Sequence, residues 1–81
     1  MLLSQLQSGD KCSVTELTAD SILKQKMITM GILPGVEIEI VKFAPLGDPI
    51  EIKMNNANLS LRKQEADQIL VSKIDTAKTN S

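Results

Sequence analysis

The stretch Val36-Glu-Ile-Glu-Ile-Val-Lys-Phe-Ala-Pro-Leu-Gly-Asp-Pro-Ile-Glu-Ile-Lys-Met-Asn-Asn-Ala-Asn-Leu-Ser-Leu61 decides how this chain folds. From Val36 to Ile40 apolar and acidic residues alternate strictly, so Val36, Ile38 and Ile40 share one face of a strand. Val41 and Phe43 then carry apolar side chains on the opposite parity. A β-bulge or a barrel corner produces such a switch where a strand bends around a core. Ala44 to Pro49 is loop chemistry, with Pro45 and Pro49 enclosing Leu46, Gly47 and Asp48. Ile50, Ile52 and Met54 alternate again. Asn55-Asn56 tolerates the positive φ that a two-residue hairpin turn requires, and Ala57, Leu59 and Leu61 supply the returning strand. Three short strands, one bent and two joined by a tight turn, fit a small barrel better than a flat sheet.

Reading back toward the N-terminus, the period changes. Leu23, Met27 and Met30 fall at i, i+4 and i+7, which places them on one face of a helix over 21–30. Asp20 is a suitable N-cap. Gly31 is suited to the left-handed residue after a helix, and Pro34-Gly35 blocks continuation and opens a turn. Before the helix, Cys12 and Val14 share a parity in a strand over 11–17. After Leu61, residues 62–68 are polar helix formers sufficient for a turn or two, and Ile69 to Ile74 reads as a last strand. The resulting expectation is a mainly β domain over 1–74. It is a small closed barrel of about five strands, with one inserted α-helix and a short helical turn before the last strand. Residues 75–81 are small and polar and read as a disordered tail.

Composition excludes several functions. In 81 residues Phe43 is the only aromatic, so the core is aliphatic and the usual platforms for stacking bases are missing. A net charge of -1, with acids and bases interspersed, provides no basic stripe for nucleic acid. The absence of His leaves no base to activate Cys12, which reads as a half-buried structural thiol suited to a reducing compartment. Catalysis is not expected, nor is a cofactor. No apolar run is long enough to span a bilayer, and Met1 to Gly9 does not read as a signal peptide.

Three segments together resemble the FeoA family: Met27-Ile-Thr-Met-Gly-Ile-Leu-Pro-Gly35, Ala44-Pro-Leu-Gly-Asp-Pro-Ile50 and Leu59-Ser-Leu-Arg-Lys-Gln-Glu-Ala66. The shared pattern includes Leu23, Met27, Met30, Gly31, Pro34 and Gly35 around the helix stop. In the last segment it includes Leu59, Leu61, Arg62, Glu65 and Ala66. The resemblance implies an SH3-like barrel and an accessory role in bacterial ferrous iron uptake. The implied partner is a FeoB-type membrane permease with a cytoplasmic GTP-binding region, which places the chain in the cytoplasm at the inner face of the membrane. Lys24 and Lys26 stand where the family often has Arg, so the planar fork for carboxylates is lost at both positions.

Two elements are candidate docking surfaces. The first is the loop Ala44, Pro45, Leu46, Gly47, Asp48 and Pro49, where stiff flanks hold Leu46 at the tip and lower the ordering cost of binding. The second is the outer helix face carrying Lys24, Lys26 and Ile28, which suits an acidic partner. The alternative function is transition-metal, Fe(II), sensing or binding, for which Asp48 or Glu51 would be the carboxylate ligands. Met27 and Met30 read as core residues and not as thioether ligands.

Overall fold

The computed structural model describes residues 1–74; the tail expected over 75–81 lies outside the described residues. Five strands form one antiparallel sheet: β1 (Lys11–Leu17), β2 (Glu37–Phe43), β3 (Ile50–Met54), β4 (Ala57–Leu61) and β5 (Ile69–Ile74). Helix α1 (Ser21–Thr29) follows β1, and the one-turn helix α2 (Lys63–Ala66) precedes β5. The strand order is β4-β3-β2-β1-β5.

The parity switch in the decisive stretch is a bulge. Ile40 pairs with Ile52 and Lys42 with Glu51, so Val41 is the extra residue and lies exposed, while Phe43 returns to the core side opposite Ile50. A second register shift, between Val14 and Glu16, bends β1 against β5. Asn55 and Asn56 both adopt positive φ, 52° and 65°, and close the β3–β4 hairpin as a two-residue turn.

The sheet is bent but open, which corrects the expected closed barrel. The outer strands β4 and β5 do not pair with each other. The free side of β5 is taken by the chain's own start: Leu2 bridges Leu70, and the Val71 N–H donates to the Met1 carbonyl at 2.8 Å. Closure through β5 would need that same edge.

Behind the sheet lies one aliphatic core. Ile32, Ile38, Ile40, Ile50, Ile52 and Ile69 are its fully buried isoleucines. α1 contributes Met27, which is 1% exposed, with Leu23 and Met30 packed half-buried beside it. The helix starts and stops as its chemistry requires: Asp20 at the N-cap accepts from the Leu23 N–H at 2.9 Å, and Gly31 beyond the end takes a φ of +92°. The start of the chain, which alternation alone does not resolve, makes a 3-10 turn at Leu3–Gln5 that buries Leu3 and is followed by buried Leu6. Cys12 is fully buried, not half-buried as expected, because β1 is flanked by β2 and β5. Burial pushes its thiol up to about 11, the Ile38 backbone contact opposing and Asp10 reinforcing the shift, so it is inert as a nucleophile.

Met27→Ala empties the centre of the helix–sheet contact. It should cost about 2–5 kcal/mol, a large share of the total for a domain stabilised by about 0.05–0.15 kcal/mol per residue. Urea denaturation followed by circular dichroism reads this directly, and an unchanged midpoint would contradict the assigned face of α1.

Candidate functional site

The two candidate docking elements are held by one small junction, helix α2. Its first residue, Lys63, donates its backbone N–H to the Asp48 carboxylate at 3.1 Å, which anchors the end of the Ala44–Pro49 loop. Its third residue, Glu65, accepts the backbone N–H of Arg62 at 2.9 Å and the Lys26 ammonium at 2.5 Å. Thus α2 ties the loop on one side and α1 on the other. Ser4 donates to Asp67 just after α2, so the chain's start is held at the same place.

Within the loop, the Gly47 N–H donates to the Ala44 carbonyl at 2.7 Å, and the Ala44 N–H donates to the Pro49 carbonyl at 3.0 Å. Gly47 sits at a φ of +87°, which a side chain would strain. The Asp48–Pro49 peptide is cis. These bonds leave Leu46 at the tip, 96% exposed. Asp48 is not at the tip: its carboxylate is engaged at the α2 backbone, which is a structural role.

On α1, Lys24 and Ile28 face outward as expected. Lys26 is also exposed, yet it is not a free cation, because it is paired to Glu65. The pair is a point contact from a lysine rather than a bidentate fork. The residue that sequence reasoning missed is Ile22, 84% exposed in the first turn of α1. It lines an open depression with Gln25, Lys26 and Thr29, which share its polar stripe at helical spacing. An isoleucine standing alone in that stripe was the available signal.

The Asp48 carboxylate is engaged by the Lys63 N–H, and neither Asp48 nor Glu51 belongs to a larger ligand cluster. Among the described residues no three acidic, Cys or His side chains converge. No described helix is long and apolar enough to cross a membrane.

Residues 1–73 match the FeoA domain family. The chain belongs to the FeoA family. A Fe(2+) transport protein A/Fe(2+) transporter FeoB fusion protein of Porphyromonas gingivalis is 32% identical over all 81 residues. The match covers 100% of this chain and 10% of the fusion protein, so the chain spans about a tenth of that curated relative. The solution structure of the FeoA protein from Chlorobium tepidum is 36% identical with a TM-score of 0.86, covering 93% of this chain and 71% of that one. The crystal structure of Stenotrophomonas maltophilia FeoA with zinc, described as an SH3 domain protein, shares the fold at 24% identity and a TM-score of 0.77 over 89% of each chain. The SH3-like architecture implied by the FeoA motifs is therefore found, and its sheet here is open. FeoA is associated with Fe(II) transport, and in one relative it is joined to FeoB.

The junction makes a pH prediction. Partial burial is the largest influence on Glu65 and raises its carboxyl. The Lys26 ammonium, the Arg62 N–H and the nearby positive charges together outweigh burial and hold it below its usual 4.5. A depressed carboxylate contributes stability that is fully present above the unfolded value and is lost as pH falls through the lower folded value. Glu65→Gln should lower stability near neutrality by up to about 1 kcal/mol, since Lys26 is largely solvated. The gap from wild type should close below pH 4.5. Denaturant titrations of both proteins across that range measure it, and a gap independent of pH would refute the ionic role.

Proposed function

We propose that this chain is an accessory, regulatory binding protein of bacterial ferrous iron uptake. It docks on the cytoplasmic part of a FeoB-type Fe(II) permease and modulates transport without catalysing a reaction. The observation that carries this reading is the Porphyromonas gingivalis relative, in which the matching segment and the transporter are one polypeptide. A covalent link supplies an effective concentration of the order of millimolar. Docking also needs a contact that anchors the domain on its partner.

Leu46 suits that task. It projects from a loop whose ends are already hydrogen-bonded and whose prolines limit the unfolded alternatives, so its insertion into an apolar pocket orders little else. On α1, Ile22 on one flank of the exposed side and Lys24 and Ile28, one turn apart on the other, provide the second contact, and α2 links helix to loop. Docking alters transport only if the partner's conformations bind unequally, because a ligand shifts an equilibrium by its differential affinity and by nothing else. The nucleotide state of the permease's GTP-binding region is the natural variable. This reading places the chain in the cytoplasm, against the membrane through its partner.

The test is calorimetric titration of this chain into the permease's cytoplasmic region loaded with GDP or with a non-hydrolysable GTP analogue. Saturable, metal-free binding with unequal affinities is expected. Equal affinities would contradict modulation by nucleotide state, and binding only with Fe(II) would favour metal sensing. Leu46→Glu should leave thermal stability within about 0.5 kcal/mol, as for most exposed positions. It should weaken binding at least about tenfold, or 1.4 kcal/mol. A large fall in Tm would show that Leu46 is not a free tip.

A further inference from the structure

The two edges of the sheet are finished differently. At β5 the first two residues of the chain cover the edge: Leu2 bridges Leu70, and the Met1 amino group and carbonyl both meet Val71. At β4 nothing among the described residues does the same. The β3–β4 ladder is regular, running Met54–Ala57, Lys53–Asn58, Ile52–Leu59, Glu51–Ser60 and Ile50–Leu61 without a shift. Behind a two-residue turn the flanking pair Met54–Ala57 exchanges hydrogen bonds, and alternate pairs follow it. Ala57, Leu59 and Leu61 therefore spend their backbone groups on β3, while Asn58 and Ser60 direct N–H and C=O outward. No described group bonds to either.

Proteins protect such edges with lysine, proline or a bulge. The strand Ala57-Asn-Leu-Ser-Leu61 has none of these and no charge at all. We infer that β4 is a self-pairing edge, at which a second copy of this chain adds antiparallel about a two-fold axis at Leu59.

The register follows from the backbone. A two-fold antiparallel pairing centred on Leu59 sets Asn58 against Ser60 of the second copy, and Ser60 against its Asn58. All the outward N–H and C=O groups of both strands are then used, in about four hydrogen bonds. Centring on Asn58 would ask the turn residue Asn56 to pair. Centring on Ser60 would need Arg62, whose N–H is already given to Glu65. Only the Leu59 register satisfies every free group.

The side chains agree with it. Leu59, half-buried at the margin of the core, meets its symmetry mate across a non-hydrogen-bonded pair with Cα atoms about 4.5 Å apart. Exposed Ala57 falls opposite Leu61 of the second copy, so the apolar row continues from one core margin to the other. No like charges face each other, because Arg62 lies opposite Asn56. A strand-only contact of this size belongs to the weak, transient class, with a Kd expected between about 10 μM and 1 mM. It uses neither Leu46 nor α1, so it stands or falls independently of the docking proposal.

The test is sedimentation equilibrium of the full chain up to millimolar concentration, with amide hydrogen exchange on the same samples. The expected mass rises from 8.8 kDa toward twice that value, and the Asn58 and Ser60 amides gain protection with concentration. Ser60→Pro removes an N–H the fold itself does not use, and proline is tolerated at such an edge. It should raise Kd at least about tenfold, while Ala57→Lys places a charge against the apolar row and should weaken the dimer without touching the ladder. A strictly monomeric mass throughout overturns the inference. So does a dimer that both variants retain, or concentration-dependent protection confined to residues outside β4.

Discussion

One carboxylate, that of Glu65, accepts the backbone N–H that starts α2 and the ammonium of Lys26 on α1, and the site's geometry depends on this contact. A helix of one turn cannot hold itself together, because nucleating it fixes several residues for a single hydrogen bond. α2 exists because the N–H groups at its start are satisfied by side chains, by its own Glu65 reaching back to Arg62 and by Asp48 reaching across from the loop to Lys63. The same bonds fix what lies on either side. The Ala44–Pro49 loop is anchored to the start of α2, and α1 is anchored to its third residue. A chain without an aromatic core cluster thus gains a rigid site from a few polar contacts laid over an aliphatic interior.

The fold was legible where periodicity is long and turn chemistry is specific. The 36–61 stretch announced both its bulge and its hairpin, because a parity switch and an Asn-Asn pair each have one economical explanation. Helix α1 was equally plain from Leu23, Met27 and Met30 with Asp20 and Gly31 at its ends. Two features were not legible. The 3-10 turn at Leu3–Gln5 is too short to show a period. Its neighbour Leu2 takes the edge of β5 through long-range backbone bonding, which local pattern does not encode, and this is why a closed barrel was expected and an open sheet is found.

For the site, residue types were easier to read than their relations. An exposed Leu46 between two prolines follows from loop chemistry, and the structure places it at the tip. Asp48 looked equally available, but its carboxylate, though exposed, is engaged by a backbone N–H fifteen positions away. Lys26 looked like part of a free basic face, but pairs across 39 positions with Glu65. Neither partner can be inferred from spacing, since both contacts depend on where α2 comes to rest. Ile22 was passed over because helical periodicity draws attention to apolar residues that recur, and it does not recur.

These observations describe a domain whose interior is spent on stability and whose exposed apolar residues are few and placed by rigid elements. The proposal to be tested is that this chain docks through the Leu46 loop and the exposed side of α1. An NMR titration of isotopically labelled chain with the permease's unlabelled cytoplasmic region tests it residue by residue. The account predicts amide shifts concentrated at Leu46, Gly47, Ile22 and Ile28, with the buried strands β1 and β2 unmoved. Saturable binding whose shifts fall elsewhere, leaving both Leu46 and Ile22 unperturbed, would contradict it.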